Sequence, residues 1–331
     1  MKPPVTVILP TFNEREFIRD CLDDLLTQDY ENVDEILVVD GGSADGTRDI
    51  VEHIGGRVRL VDNPKRTAAA AMNLGIATAR NEIAVRADAH TRYAPDYVRV
   101  SVDALLDSSA AVVGGPMRPV GITPFGRAVA AVTSSPFGVG PGRFHYSTTR
   151  QHVDTVYLGT FRRSTIIDAG GYDDERLQWA AEDQELNYRI RMRGGTILLD
   201  PGIRSQYFPR QAPRGLARQY HNYGVCKAST LAKHRSLPSW RPLAPALMVA
   251  GTVLWVVWHI RRRPGVAALP LAAYGALVGA VTTKLSRERG VTPHRVAMAL
   301  AICHWTYGAG FWRGMWRFAR GRSFDTRPTR R

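Results

Sequence analysis

Short apolar runs and amphipathic stretches alternate through the first half of the chain. VTVIL (5–9) precedes a helical pattern from Glu14 to Gln28, EILVVD (35–40) a helix near Asp45 to Ile54, and VRLVD (58–62) an Ala-rich helix from Thr67 to Ala79; EIAVRAD (82–88) and AAVVGG (110–115) follow. Runs of Val, Ile and Leu bounded by turn residues and separated by helices predict an α/β domain with a mostly parallel sheet covered on both faces. In such sheets ligands sit beyond the carboxyl ends of the strands. Polar residues collect there: Pro10-Thr11-Phe12-Asn13-Glu14 after the first strand, Asp40 to Thr47 after the second, Arg86-Ala87-Asp88-Ala89-His90 after the fourth. Singly, each reads as a helix cap or a turn. Three on one edge predict a binding crevice.

The pattern changes near residue 240. Uncharged runs at 242–260, 264–283 and 296–312 approach the length that crosses a bilayer, interrupted by the titratable groups His259 and His304 alone. Charge sharpens this picture. The net charge of +14 conceals an asymmetry: residues 1–200 hold 22 basic and 28 acidic side chains, residues 201–331 hold 22 and 2. Basic residues around apolar runs read as juxtamembrane charge beside anionic lipid, not as a nucleic-acid patch, because no aromatic-and-basic recognition motif is present. The expected organisation is a catalytic-type domain over 1–240, membrane helices over 241–312 and a basic tail over 313–331. An even number of crossings would keep domain and tail on the cytoplasmic side of a multi-pass membrane protein, with the segment from Arg204 to Arg241 at the lipid surface. Cys21, Cys226 and Cys303 lack disulfide or metal spacing and suit a reducing compartment. The first apolar run is too short for a signal peptide.

No GxGxxG follows the first strand and no GxxxxGK[ST] occurs, which excludes a dinucleotide fold and a P-loop. PTFNE (10–14), VVDGGSADGT (38–47), AAMNLGIATAR (70–80) around Asn73, ADAH (87–90) and AAEDQELNYRIRMRGG (180–195) resemble, in that order, the motif set of family 2 glycosyltransferases, inverting nucleotide-sugar enzymes with a GT-A fold. The resemblance covers roughly residues 3–225. RADAHTRYAPDYV (86–98), FGVGPGRFHY (137–146) and VDTVYLGTFRR (153–163) are similar to the membrane-bound glucosyltransferases of succinoglycan-type exopolysaccharide biosynthesis.

The resemblance implies a UDP-linked sugar donor over the first two strand ends, with Pro10, Thr11, Glu14 and Asp40 near base and ribose and Arg66 as a further contact. A diphosphate gathers charge as it leaves, so a cation must meet it. Asp88 is a suitable hard oxygen ligand for Mg²⁺ or Mn²⁺; His90 is a second ligand, a phosphate donor or a hydrogen-bonded turn histidine. The family's DxD begins with an acid where this chain has Arg86, which leaves two readings, a direct phosphate contact or a salt-bridged structural residue. One carboxylate fewer points to weak metal binding or partial metal dependence.

Glu182-Asp183 opens a predicted helix ending at Gly194-Gly195. Plain matching of first-turn acids to the helix dipole is one reading. The resemblance implies another: Asp183 is the general base for the acceptor hydroxyl and Glu182 orients Asp183 or the acceptor, so that one displacement inverts the anomeric carbon. Gln219-Tyr220-His221-Asn222-Tyr223 stands where processive members carry QxxRW, with Asn222 for Arg and Tyr223 for Trp. Transfer of a single residue is therefore expected. Gln219, Tyr220 and Tyr223 are acceptor-side candidates, the tyrosines either stacking on a sugar or simply packing. FGVGPGRFHY carries no period and is long enough for a closing lid or a static turn. A membrane-held, polyprenyl-linked saccharide is the implied acceptor. Two competing readings are a polyprenyl-phosphate glycosyl synthase and a non-catalytic membrane scaffold with a degenerate nucleotide-sugar site.

Overall fold

Eight strands form one sheet, ordered β3-β2-β1-β4-β8-β6-β9-β7. They are β1 (Val5–Thr11), β2 (Val33–Asp40), β3 (Val58–Asp62), β4 (Ile83–Arg86), β6 (Val112–Gly115), β7 (Gln151–His152), β8 (Tyr157–Arg162) and β9 (Ile197–Leu199); β5 (Thr91–Tyr93) and β10 (Ser205–Tyr207) make a separate antiparallel ribbon. β1 runs parallel to β2 and β4, β2 to β3, and β6 to β9, while β8 is antiparallel to both its neighbours and β7 to β9. The computed structural model describes residues 2–140, 142–177, 180–235, 243–261 and 269–320.

Alternation explains why both sheet faces are covered. Val5, Val7, Leu9, Ile36 and Val38 point into one apolar cluster with Leu22, Leu25 and Val102, from α1 (Ile18–Leu26) and α4 (Tyr97–Leu106); α2 (Thr47–Ile54) adds Val51. Ile8, Leu37 and Val39 point into the other cluster with Met72 and Ile76 of α3 (Ala68–Thr78), Ile166 of α7 (Arg163–Asp168) and Leu186 and Ile190 of α8 (Glu182–Met192). Full burial of one such side chain is worth about 1.5–3 kcal/mol, so a slip of one residue, which exchanges the two sets, is strongly disfavoured. Thr67 caps α3 by accepting from Ala70 N at 3.2 Å.

Contacts divide the chain into two units, the first built from residues up to Arg118 and Gly142–Tyr207, the second from Pro119–Pro141 and Phe208 onward. The division differs from the boundary expected at 240. The reason is apolar: Phe125, Ala128, Val129 and Val132 of α5 (Pro124–Thr133) pack with Leu216 and Tyr220 of α9 (Pro213–His234), Val281 and Leu285 of α11 (Leu269–Arg289) and Val296, Ala299 and Leu300 of α12 (Pro293–Ala319). α6 (Pro136–Val139) and α10 (Ala244–Arg261) complete this unit. α9 and α12 meet through glycines, since a Cβ on Gly224 would stand 2.1 Å from Tyr307 O and one on Gly310 2.1 Å from His221 O.

The expectation of membrane-crossing helices has no counterpart among the described residues, where no helix is long and apolar enough to cross a membrane. α12 spends one face on the protein core and carries Arg295, Arg313 and Arg317, and α11 ends in Lys284, Arg287, Glu288 and Arg289. The expected tail at 313 is helix as far as Ala319. Parts of two expected runs, 242 and 264–268, and the tail from 321 lie outside the described residues.

Candidate active site

The first two motif loops are stitched together by their own polar side chains. Asn13 N donates to Ser43 Oγ at 2.8 Å and Ala44 N to Asn13 Oδ1 at 3.0 Å; Glu14 N donates to Thr47 Oγ1 at 2.9 Å and Arg15 N to Asp45 Oδ2 at 3.1 Å. Asn13 sits at φ 55°, a left-handed conformation that Asn tolerates better than most residues. Asp40, aligned with Thr11 across the β1–β2 pair, is fully buried. Its carboxylate accepts from Gly42 N and Ser43 N, both at 2.9 Å, from Ser43 Oγ, and from Arg48 Nη1 at 3.0 Å. Asp40 thus shapes the loop that would carry the nucleoside. Pro10 is half-buried on β1, and Thr11 turns its hydroxyl to Leu9 O at 3.1 Å. Arg66, at φ 57°, lays its guanidinium over Gly42, and Phe12, half exposed, lies against Gly41.

β4 delivers the next residues. Arg86 pairs in register with Ile8, and the ladder runs on through Ala87 N to Ile8 O at 2.9 Å, which brings Asp88 up beside the end of β1. Tyr93 pins Asp88 from behind: its hydroxyl accepts from Asp88 N at 2.7 Å and donates to Asp88 O at 3.0 Å. His90 Nδ1 lies 3.3 Å from Glu14 Oε1, tying the fourth strand end to the first, and its ring meets Tyr207 edge-on at 5.4 Å.

α8 begins with Glu182 and Asp183 in its first turn, directly after Ala181, which is held at φ 62°. Backbone strain of that kind at a non-glycine residue is kept only where its surroundings enforce it. Upstream of α8, the Asn73 side chain donates to Tyr172 O at 2.8 Å and accepts from Tyr172 N at 2.7 Å, clamping the backbone at Tyr172.

Arg86 joins the two halves. Its Nη1 donates to Asp183 Oδ1, its Nη2 to Glu182 Oε1 at 3.1 Å, and its Nε lies 3.6 Å from Asp88 Oδ1 without forming a hydrogen bond. Of the two readings left open for Arg86, the structure displays the salt-bridged one. Burial raises the Asp183 carboxyl above the ordinary range, against the opposing pull of Arg86 and with the added repulsion of Glu182 and Asp88. A carboxylate so poised suits a general base.

A divalent ion fits this donor set in one way only. Among the described residues no group of three or more His, Cys, Asp or Glu side chains is arranged to hold a metal. Asp88 is a lone, partly exposed carboxylate at a strand end, the kind of site at which Mg²⁺ or Mn²⁺ is held mainly by substrate phosphates and water. His90 Nδ1 is engaged with Glu14.

Gln219, Tyr220 and Tyr223 lie on α9 in the second unit. Gln219 Nε2 donates to Tyr223 OH at 3.1 Å, and the two tyrosine rings meet edge-on at 5.5 Å. FGVGPGRFHY holds two short turns in place of an irregular loop. Ser135 caps α6 and Pro136 starts it, while Arg143–His145 forms a 3₁₀ turn fastened by Met117 N to Phe144 O at 2.8 Å. Turns of three and four residues are too short to leave a period in the sequence. Sequence reasoning also missed Tyr93 and gave Asn73 no role. Both act on backbone atoms, Tyr93 on those of Asp88 five positions back and Asn73 on those of Tyr172 99 positions on, and neither contact leaves a local pattern in the sequence.

A doubly covered sheet with polar strand ends facing an acidic helix start is the arrangement of a GT-A glycosyltransferase. The chain belongs to glycosyl transferase family 2, whose pattern matches residues 6–166. Succinoglycan biosynthesis protein ExoA of Rhizobium meliloti (strain 1021) is 31% identical over 323 residues, covering 95% of this chain and 96% of that protein. A Methanococcus voltae enzyme, dolichyl N-acetyl-alpha-D-glucosaminyl phosphate 3-beta-D-2,3-diacetamido-2,3-dideoxy-beta-D-glucuronosyltransferase, is 26% identical over 241 residues, 69% of this chain and 74% of that one. Among solved structures, the mannosyltransferase PcManGT of Pyrobaculum calidifontis in complex with GDP-Man and Mn²⁺ shares the fold at a TM-score of 0.62 and 22% identity, over 92% of this chain and 88% of that one.

Proposed function

We propose that this glycosyltransferase moves one hexose from a UDP-linked donor, with inversion, to a hydroxyl of a polyprenyl-linked saccharide during assembly of an exopolysaccharide or other cell-surface glycan. The observation that carries the reading is the meeting of Asp88 and the Glu182–Asp183 pair around one guanidinium, which puts a diphosphate-side carboxylate and a base candidate in one cluster. Asp183 takes the proton of the acceptor hydroxyl as the new C–O bond forms and the bond to the diphosphate breaks on the opposite face. Glu182 keeps Asp183 aligned. Pro10, Thr11, Glu14, Asp40 and Arg66 form the wall on which the nucleoside rests. When bound, Mg²⁺ or Mn²⁺ neutralises charge on the departing diphosphate, and Asp88 would hold it.

The acceptor class is supported by the rhizobial and archaeal relatives, one a protein of succinoglycan biosynthesis and one acting on a dolichyl-linked sugar. It is supported also by the second unit, which exposes Leu254, Val257 and Trp258 on α10 and Trp312, Trp316 and Phe318 on α12 beside Arg313, Arg317 and Arg320. Aromatic and apolar side chains next to cations suit attachment to the anionic cytoplasmic face of a membrane. Gln219, Tyr220 and Tyr223 then serve the acceptor. The test is transfer of radiolabelled sugar from a panel of UDP-sugars to lipid extracted from the native membranes. Asp183→Asn should lower kcat by about 10²- to 10⁴-fold; undiminished transfer would remove the base assignment.

A further inference from the structure

Resting on the reading of Asp183 as base, we propose that Arg86 is a positioning residue that selects the oxygen of Asp183 which takes the proton and holds it in line. Three facts of geometry carry this. Arg86 is almost fully buried, at 6% exposure, so its side chain is shielded from solvent on the strand that bears it. It does not grip one carboxylate with two parallel bonds; its two Nη atoms go to two consecutive residues, Asp183 through Oδ1 and Glu182 through Oε1. That divided grip fixes the first turn of α8 in rotation as well as in distance. With Oδ1 occupied, Oδ2 makes no hydrogen bond among the described residues, and 31% of the Asp183 side chain remains exposed. The acceptor proton therefore goes to Oδ2.

The third facet of the guanidinium extends the argument. Nε is buried, makes no hydrogen bond, and lies 3.6 Å from Asp88 Oδ1. One planar group thus spans the strand end that faces the diphosphate and the helix start that bears the base, and it sets the separation between them. A lysine cannot reproduce this, because an ammonium is a point charge without the planar fork. The substitution at the head of the DxD is, on this view, an exchange of a metal-side acid for a bracket on the base.

The experiment compares Arg86→Lys, Arg86→Gln and Arg86→Ala with wild type in full-length protein, measuring sugar transfer, UDP affinity by titration calorimetry, and thermal stability. Positioning predicts that kcat falls by about 10²-fold in all three while the UDP dissociation constant and the donor KM stay within about threefold, a change worth under one factor of ten. It further predicts that added guanidinium ion, at concentrations below those that unfold the protein, restores activity to Arg86→Ala and not to wild type. A weakening of UDP binding by tenfold or more with kcat retained would overturn the proposal in favour of a phosphate contact. Loss of activity without guanidinium rescue in a variant that melts with wild type, or wild-type kcat in all three, would overturn it as well. Should Arg86→Ala fail to fold, Arg86→Lys and Arg86→Gln carry the same kcat-against-KM decision. Asp183→Asn run alongside separates the two readings: if it is fully active the base assignment fails, and if it is inactive while the Arg86 variants are normal the positioning role alone fails.

Discussion

In the proposed mechanism Asp183 has to be unprotonated to accept a proton, and burial raises the pH at which it loses its own. Activity is therefore lost as pH falls through that raised value, so the acidic limb of kcat/KM lies above the range of an ordinary aspartate, at about 3.9. A pH–rate profile with its acidic limb at the ordinary position would contradict this. Asn73 makes a second residue-scale prediction. Its side chain satisfies both the donor and the acceptor of Tyr172, and removing it strands two partly buried backbone groups. Asn73→Ala should cost about 1–3 kcal/mol of stability and lower kcat by loosening the approach to Glu182, read from thermal melts and the transfer assay together. The sequence motif singles out Asp183 as the base candidate. Its engagement by Arg86 is not legible in the sequence, because the two residues stand 97 positions apart and meet only when β4 and α8 are packed on the same sheet.

The first three strands and the helices that follow them track the hydrophobic pattern closely. β1, β2 and β3 coincide with the predicted apolar runs to within two residues, and α3 begins where Thr67 offers its hydroxyl as a cap. Other elements escaped: β5, β7, β9 and β10 have two or three residues each, below the length at which a period of two can be seen, and β8 (Tyr157–Arg162) and α4 (Tyr97–Leu106) were not predicted either. In the second unit the closeness of α9 and α12 depends on glycine. Gly310→Ala places a methyl 2.1 Å from His221 O, a backbone atom that cannot swing aside, and should destabilise by about 1–3 kcal/mol. Gly279→Ala on α11, with nothing within 4 Å of the new methyl, should leave the melting temperature unchanged or raise it slightly, since alanine favours helix. Equal effects at the two positions would refute the packing argument.

At the level of the entire chain, the charge asymmetry and the exposed aromatic and apolar side chains of α10 and α12 point the same way. Binding of the full-length protein to vesicles should require an anionic lipid and weaken as salt rises from about 0.1 M to about 1 M, where the screening length shrinks about threefold. Flotation that is indifferent to lipid charge would argue against an electrostatic component. Hydropathy alone suggested crossing helices over 242–312, but a run free of charges does not reveal whether one of its faces is already spent on a protein core, as that of α12 is on α5 and α9. The division of the chain shows the same limit, because α5 joins the C-terminal helices through contacts distant in sequence. Local patterns of alternation, capping and turn chemistry, together with ordered motifs, were enough to establish the layered sheet and the family, and to point to the edge at which the strand ends gather polar residues. Those depend on interactions between near neighbours along the chain. The bracket formed by Arg86, the clamp from Asn73, the internal use of Asp40 and the true extent of the second unit arise from long-range packing, whose partners are chosen by shape and distance in three dimensions.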